Sequence, residues 1–335
     1  MKVGIIGGAG YTGGELLRLL ANHPDAEIAA VTSRRFQGKP VSVVHPHLSE
    51  VLDLAFEDLS TSEVAERSDL VFTAVPHKAA MGYVPDLLAQ NVKVVDLSAD
   101  YRLVPEVYES TYMTTHTDRA RRAIYGLPEL HRAEIKTSDL VANPGCFSTV
   151  AILVAAPLIK AAKAERIVFD SKTGISGAGM EPSEVTHYPN IAENVVPYRI
   201  TTHRHLPEIR QELGLLGKCK ISFTPHIIPS VRGILTTAHI FVRETLTSEY
   251  ISDLYEKMYA SEPFIRILKT MPSLSAVRGS NFCDIGCFDV EGDRVVVIST
   301  IDNLTKGASG QAVQNMNLMF GLDEKMGLWL PGMAP

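Results

Sequence analysis

The stretch Lys2-Val3-Gly4-Ile5-Ile6-Gly7-Gly8-Ala9-Gly10-Tyr11-Thr12-Gly13-Gly14-Glu15-Leu16-Leu17 decides how the first half of the chain is read. Val3–Ile6 is an apolar run of strand length. Gly14–Asn22 follows as a helix with Leu16, Leu17, Leu19 and Leu20 on its apolar side, and His23-Pro24 ends it. Between them the spacing is G-x-x-G-x-x-G, a variant of the dinucleotide fingerprint. Glycine lets the backbone turn tightly and approach a pyrophosphate, whose charge then rests at the N-terminus of the helix. Gly7, Gly10, Tyr11, Thr12 and Gly13 are therefore candidate cofactor contacts. A tight strand–helix turn with no ligand also explains the glycines, but their place between a strand and a helix favours the cofactor.

Working outward, strand candidates recur at Glu27–Thr32, Leu70–Ala74 and Val92–Leu97, with helical segments between them. Near-continuous Val/Ile/Leu strands alternating with helices describe a parallel sheet covered on both faces, so the expected class is α/β with a Rossmann domain. The second strand ends in Ser33-Arg34-Arg35, where an NAD-preferring site usually places a carboxylate for the ribose 2′-hydroxyl. Two guanidiniums and a hydroxyl suit a 2′-phosphate, so the expected cofactor is NADP(H); a solvated basic pair on a loop is the alternative.

After about residue 165 the pattern changes. Ile167–Ser171, Lys220–Thr224, Leu235–Phe241, Cys283–Asp289 and Arg294–Thr300 are strand-like, the last two flanking a turn at Val290-Glu291-Gly292-Asp293. Thr247–Tyr259 is a helix candidate, and Ala308–Gly321 is helical again. The expectation is an α+β second domain with a mixed or antiparallel sheet. The cofactor domain spans residues 1–145, rejoined by 305–335, and the catalytic and oligomerisation domain spans 146–304.

Composition narrows the function. The 335 residues carry 32 Lys and Arg against 38 Asp and Glu, a net −6 with no basic stripe, which argues against a nucleic-acid partner. The longest apolar stretch, Val150 to Ile159, is too short to span a membrane and contains a proline. The glycine-broken N-terminus lacks the apolar core of a signal peptide, so a cytoplasmic enzyme is expected. Four cysteines in so long a chain suggest reduced thiols.

Asn143-Pro144-Gly145-Cys146-Phe147-Ser148-Thr149 carries the strongest chemical signal. A strand ends, Pro-Gly turns the chain, and Cys146 falls at the start of an apolar helical run, Val150–Ala162. A helix N-terminus favours thiolate over thiol, and its N–H groups can form an oxyanion hole, so Cys146 is a nucleophile candidate; a buried small hydrophobe is the alternative. Cys283 and Cys287, about 13 Å apart along one strand at ~3.3 Å per residue, are too far apart to share a metal and read as core residues of one sheet face. No metal site is expected, and Cys219 has no partner pattern. His203-Arg204-His205-Leu206-Pro207-Glu208 is the best source of a base: His205, with Glu208 three residues on to orient it if the segment turns helically. A solvated polar loop fits that spacing equally. His45 and His47 read as loop residues. Ser176 and Gly177, in the glycine-rich run Lys172–Gly179, suit close backbone approach to a ligand or a mobile loop. Asn303, before the last helix, can touch the cofactor or simply cap. Arg102, Arg232 and Arg278 are candidate anion clamps or surface ion pairs.

Together these segments resemble the N-acetyl-gamma-glutamyl-phosphate reductase family of arginine biosynthesis. The resemblance runs through GGAGYTGGEL at Gly7–Leu16, DLSADYR at Asp96–Arg102, YGLPEL at Tyr125–Leu130 and NPGCF at Asn143–Phe147. It continues in SGAG at Ser176–Gly179, HRHLPEI at His203–Ile209, RGIL at Arg232–Leu235 and RGSNFCDIG at Arg278–Gly286. It closes with DNLTKGASGQAVQNMNLMFGL at Asp302–Leu322. Ser148-Thr149-Val150 departs from the residues common after that family's cysteine. A sister reductase, acting on carrier-bound 2-aminoadipate phosphate in one lysine route, shares most of these motifs and is the alternative, alone or as a second use. The resemblance implies a small-molecule acyl phosphate as substrate, a thioester on Cys146, and reduction by NADPH with His205 as acid and base. It further implies support of His205 by Glu208 and His203, and Arg102, Asn143, Gly145 and Arg232 near the substrate phosphate. Ser176, Gly177 and Asn303 would line the nicotinamide side. The implied architecture is aspartate-semialdehyde-dehydrogenase-like, as a homotetramer or homodimer.

Overall fold

In the computed structural model, which describes residues 1–334, the chain divides into two units. The first comprises Met1–Pro144 with Ala308–Trp329, and the second comprises Gly145–Gly307 with the tail from Leu330. In chain order the first unit runs β1 (Lys2–Ile6), α1 (Tyr11–Leu20), β2 (Glu27–Thr32), α2 (Val41–Val44), α3 (Thr61–Arg67) and β3 (Leu70–Thr73). It continues with α4 (Val84–Ala89), β4 (Lys93–Asp96), α5 (Pro105–Tyr112), β5 (Ile124–Tyr125), α6 (Pro128–Thr137) and β6 (Leu140–Ala142). Its six strands are all parallel, in the order β2-β1-β3-β4-β6-β5. β3 is buried along its whole length, as its Leu-Val-Phe-Thr sequence requires of a strand covered on both faces. The order reverses across β1, so the carboxyl ends of β1, β2 and β3 frame the crevice where open α/β sheets bind ligands.

The second unit opens with α7 (Cys146–Lys160) and β7 (Ala164–Thr173), followed by α8 (Tyr188–Ile191), β8 (Val196–Pro197), α9 (Leu206–Leu216) and β9 (Lys220–Ile227). Then come β10 (Ile234–Val242), α10 (Ser248–Tyr259), β11 (Ile265–Leu268), α11 (Leu274–Val277), β12 (Cys283–Glu291) and β13 (Arg294–Ile301). The seven strands form a mixed sheet, β11-β12-β13-β10-β7-β9-β8, in which β10 alternates strictly between buried and half-buried residues. α7 is apolar all round and buried from Phe147 to Ile159, packed on β10, β13, β7, α9 and α10. Its Pro157 cannot donate to the Leu153 carbonyl one turn back; the Tyr259 hydroxyl of α10 does so instead, at 2.5 Å. The Tyr255 hydroxyl donates to the neighbouring Val154 carbonyl, also at 2.5 Å.

From Thr305 to Ser309 the chain makes a π-helical turn into α12 (Gly310–Met319), a helix of the first unit that is buried at every position. Its carboxamides make this possible. Gln311 and Asn315 both donate to the Gly126 carbonyl, and Asn317 accepts from His23 Nε2 at 2.9 Å and donates to the Met326 carbonyl.

Several expectations change. α1 begins at Tyr11 with Gly10 as its N-cap, three residues earlier than expected, so Gly13 lies inside the helix rather than before it. The tail from Leu330 belongs with the second unit, not the cofactor domain. There Met333 N–H donates to the Arg278 carbonyl, and an Arg278 guanidinium nitrogen donates back to the Met333 carbonyl, each at 2.7 Å. Cys283 and Cys287 do not share a buried face. The β12–β13 register slips between Gly286 and Asp289, and Cys287, with φ of 59° in the bulge, is only half-buried. Among the described residues, no helix is long and apolar enough to cross a membrane.

Candidate active site

Within the second unit, Gly145 is the extended N-cap of α7 and Cys146 its first residue, half-buried at the helix start. The helix thus begins at the cysteine itself, four residues earlier than the apolar run alone indicates. Glu208, in the first turn of α9 and buried, accepts the Gly145 N–H at 2.8 Å and clasps the residue before Cys146. The imidazole of His205 lies directly against Gly145: a Cβ added there would come within 2.5 Å of Nε2. The HRHLPE segment therefore turns helically just where it must to bring His205 and Glu208 to the start of α7.

His203 plays another part. Its ring packs edge-on against Phe147, Tyr198 and Phe223 at 5.3–5.4 Å and against His205 at 4.8 Å, and its Nδ1 accepts the His205 backbone N–H. Burial, helped by Arg204 and Arg199, pushes its pKa down to about 3, so the ring stays neutral and serves as a prop for His205. Tyr198, absent from the sequence-based candidates, has its phenol pushed up, first by burial and then by Cys146.

A second cluster forms the other wall. Asn303 accepts the Gly233 N–H at 2.7 Å and donates to Ser176 Oγ at 2.9 Å, so its side chain braces two loops and does not cap. The capping falls to the wholly buried Asp302, which accepts the N–H groups of Leu304 and Thr305. Arg232 is committed to Asp302 through two bonds of 2.9 and 3.0 Å and to Thr305 Oγ1; it forms an ion pair, but an interior one. Gly177 lies beside Thr173 and Asn303. Gly307 meets Cys146 closely enough that a Cβ on it would sit 2.8 Å from the cysteine Cβ. Next to it, the fully buried Lys306 reaches over the Phe264 ring. Both lie in the Asp302–Leu322 motif, where only Asn303 is a site candidate.

The cofactor candidates of the glycine turn and of the end of β2 lie in the first unit. Gly7 has φ of +88°, and a Cβ on Gly13 would fall 2.5 Å from the Gly8 carbonyl oxygen, so a close turn is possible only without side chains there. At Gly10 and Tyr11 the start of α1 is open. Ser33 stands at the N-cap position of a short turn at the end of β2, with Arg34 and Arg35 exposed beside it. A glycine turn at a helix N-terminus, with a basic pair one strand away, fits an anionic dinucleotide. Arg102 is buried and donates to the carbonyls of Asn143 and Leu97, while the Asn143 amide is held by the Ala308 carbonyl and by Asn315. Both therefore shape the end of β6.

Two family models match the chain. "Semialdehyde dehydrogenase, NAD binding domain" covers residues 2–138, and "Semialdehyde dehydrogenase, dimerisation domain" covers residues 146–303. Among curated proteins, the N-acetyl-gamma-glutamyl-phosphate reductase of Methanosarcina acetivorans is 60% identical over 100% of both chains. Those of Archaeoglobus fulgidus and Methanocaldococcus jannaschii are 57% and 55% identical, the first over 100% of both chains, the second over 100% of this chain and 99% of its own. Among solved structures, aspartate semialdehyde dehydrogenase II of Vibrio cholerae superposes with a TM-score of 0.70 at 18% identity, covering 96% of this chain and 98% of its own. The Candida albicans aspartate semialdehyde dehydrogenase with NADP gives 0.73 at 15%, over 95% and 98%.

Proposed function

The chain belongs to the N-acetyl-gamma-glutamyl-phosphate reductases of the semialdehyde dehydrogenase family, and from that membership we propose how its own residues carry the reaction. It is an NADPH-dependent enzyme of arginine biosynthesis that reduces N-acetyl-gamma-glutamyl phosphate to the semialdehyde and releases phosphate. A carrier-bound aminoadipate phosphate is not favoured, since these relatives are all named for the acetylglutamyl substrate.

The observation that carries the mechanism is the juncture of Cys146, Gly145, His205 and Glu208 at the start of α7. His205 takes the thiol proton, and the Cys146 sulfur attacks the acyl carbon. The acyl–oxygen bond breaks, phosphate leaves with the electron pair, and a thioester remains on Cys146. Main-chain N–H groups at the helix start face the developing oxyanion. The glycine turn with Ser33, Arg34 and Arg35 would hold NADPH, which would supply the hydride that reduces the thioester carbon. The carbon–sulfur bond then breaks, the aldehyde departs, and His205 returns its proton to the thiolate. Glu208 keeps Gly145 and His205 in register, and His203 braces His205 without exchanging protons near neutrality. Ser176, Gly177 and Asn303 would serve the nicotinamide side of the cofactor. The enzyme works in the cytoplasm, and it assembles as a homodimer or homotetramer; the description of the second family model as a dimerisation domain supports self-association.

The test is phosphate-dependent NADP+ reduction with N-acetyl-glutamate semialdehyde. Cys146→Ser is expected to lower turnover at least about a thousandfold while still binding NADPH. A variant that keeps its turnover, or a wild-type chain that leaves this substrate untouched, overturns the reading.

A further inference from the structure

We propose that His45 is a positioning residue for the dinucleotide, pinning the Gly8 carbonyl away from the phosphate-facing side of the glycine turn. The inference rests on the reading of that turn as the cofactor site. His45 follows the one-turn helix α2 in Val44-His45-Pro46-His47-Leu48, a segment that reads as an ordinary loop. Its side chain is nevertheless buried, with Nε2 at 2.9 Å from the Gly8 carbonyl oxygen. A carbonyl only accepts, so Nε2 carries the proton and donates. Burial holds the imidazole below its ordinary pKa, so the ring adds no charge of its own.

The enclosure is tight on every side. The ring fills the space a side chain at residue 14 would need, since a Cβ there would lie 2.6 Å from Cε1 and Nδ1. The Gly8 carbonyl is shut in from the other side by Gly13, and the Gly8 N–H is given to the Thr32 carbonyl at 3.0 Å. Phe56 and His47 meet the His45 ring edge-on at 6.2 and 6.0 Å. Glycine peptides rotate with little steric penalty. A Gly8–Ala9 peptide without a fixed carbonyl can turn an acceptor lone pair toward a ligand that needs N–H donors. The His45 bond removes that alternative before the ligand arrives, which is preorganisation.

The test measures NADPH dissociation by fluorescence titration of the full chain, beside the melting temperature without cofactor and iodoacetamide labelling of Cys146. His45→Phe keeps a ring but loses the donor and is expected to weaken NADPH about tenfold. His45→Gln keeps a donor and is expected to bind within about threefold of wild type, with labelling unchanged in both. Gly14→Ala is expected to weaken binding alone but to add nothing to His45→Ala, which vacates the space. Binding by His45→Phe within about twofold of wild type, or additive losses in the double variant, overturns the proposal. A wild-type chain that binds no dinucleotide brings down the cofactor reading and this inference with it. Wild-type binding with indifferent variants brings down the inference alone.

Discussion

At the residue scale, Cys146 and Ser33-Arg34-Arg35 could be singled out because each sits at a break between elements that the sequence marks. Pro-Gly precedes the cysteine, and the apolar run of β2 stops at Ser33. If the exposed guanidiniums at that strand end hold the 2′-phosphate, cofactor choice is a local property. Arg34→Ala with Arg35→Ala is expected to raise KM for NADPH about ten- to a hundredfold and to leave KM for NADH nearly unchanged, as initial rates with each cofactor will show. Equal changes would return the pair to the status of a solvated loop. The arginines read as anion clamps behave differently, because a guanidinium looks the same in sequence whichever partner it meets. Arg232 is taken up by Asp302, and Arg102 by two backbone carbonyls. His45 was hidden for a related reason, since its partner is a carbonyl and no carbonyl has a signature in a sequence.

At the element scale, strands β1 to β4 and the β12–β13 hairpin follow from apolar runs and turn residues. The start of α1 and the bulge in β12 do not. A glycine reads as a helix breaker until packing demands its lack of a side chain, as at Gly13; and one extra residue in a strand reverses which face every later residue meets. α7 shows a further case, a proline within a buried helix made tolerable by a tyrosine about a hundred residues away. Tyr259→Phe removes that hydroxyl and leaves the Leu153 carbonyl buried without its donor. It is expected to destabilise the chain by about 1–3 kcal/mol, read as a shift in urea midpoint at constant slope. No loss would mean that the carbonyl finds another partner.

At the scale of the whole molecule, folding stability responds to pH through groups that burial forces into one protonation state. His203 has a folded pKa of about 3 against an ordinary 6.5, so between these values the unfolded chain binds the extra proton. Its contribution to stability is present above pH 6.5 and is lost as pH falls toward 3; His23 and His45, also lowered by burial, add in the same direction. Asp96, raised to about 6 by burial, opposes them, stabilising below its unfolded pKa and losing that effect as pH rises through 6. Because these terms overlap, the informative quantity is a difference. The stability gap between wild type and His203→Gln is expected to narrow by about 2 kcal/mol from pH 7 to pH 5, measured by urea unfolding at each pH. A constant gap would show that His203 is no more buried than a surface imidazole. What the sequence by itself determined about this protein is its two-part α/β plan, its glycine turn and its family, because these depend on patterns within a few consecutive residues. Only the tertiary structure decided that Glu208 clasps the Gly145 N–H, that α12 can be both polar and wholly buried, and that the tail packs with the second unit. Burial and hydrogen-bond satisfaction are relations between residues far apart in the chain, and they exist only once the chain has folded.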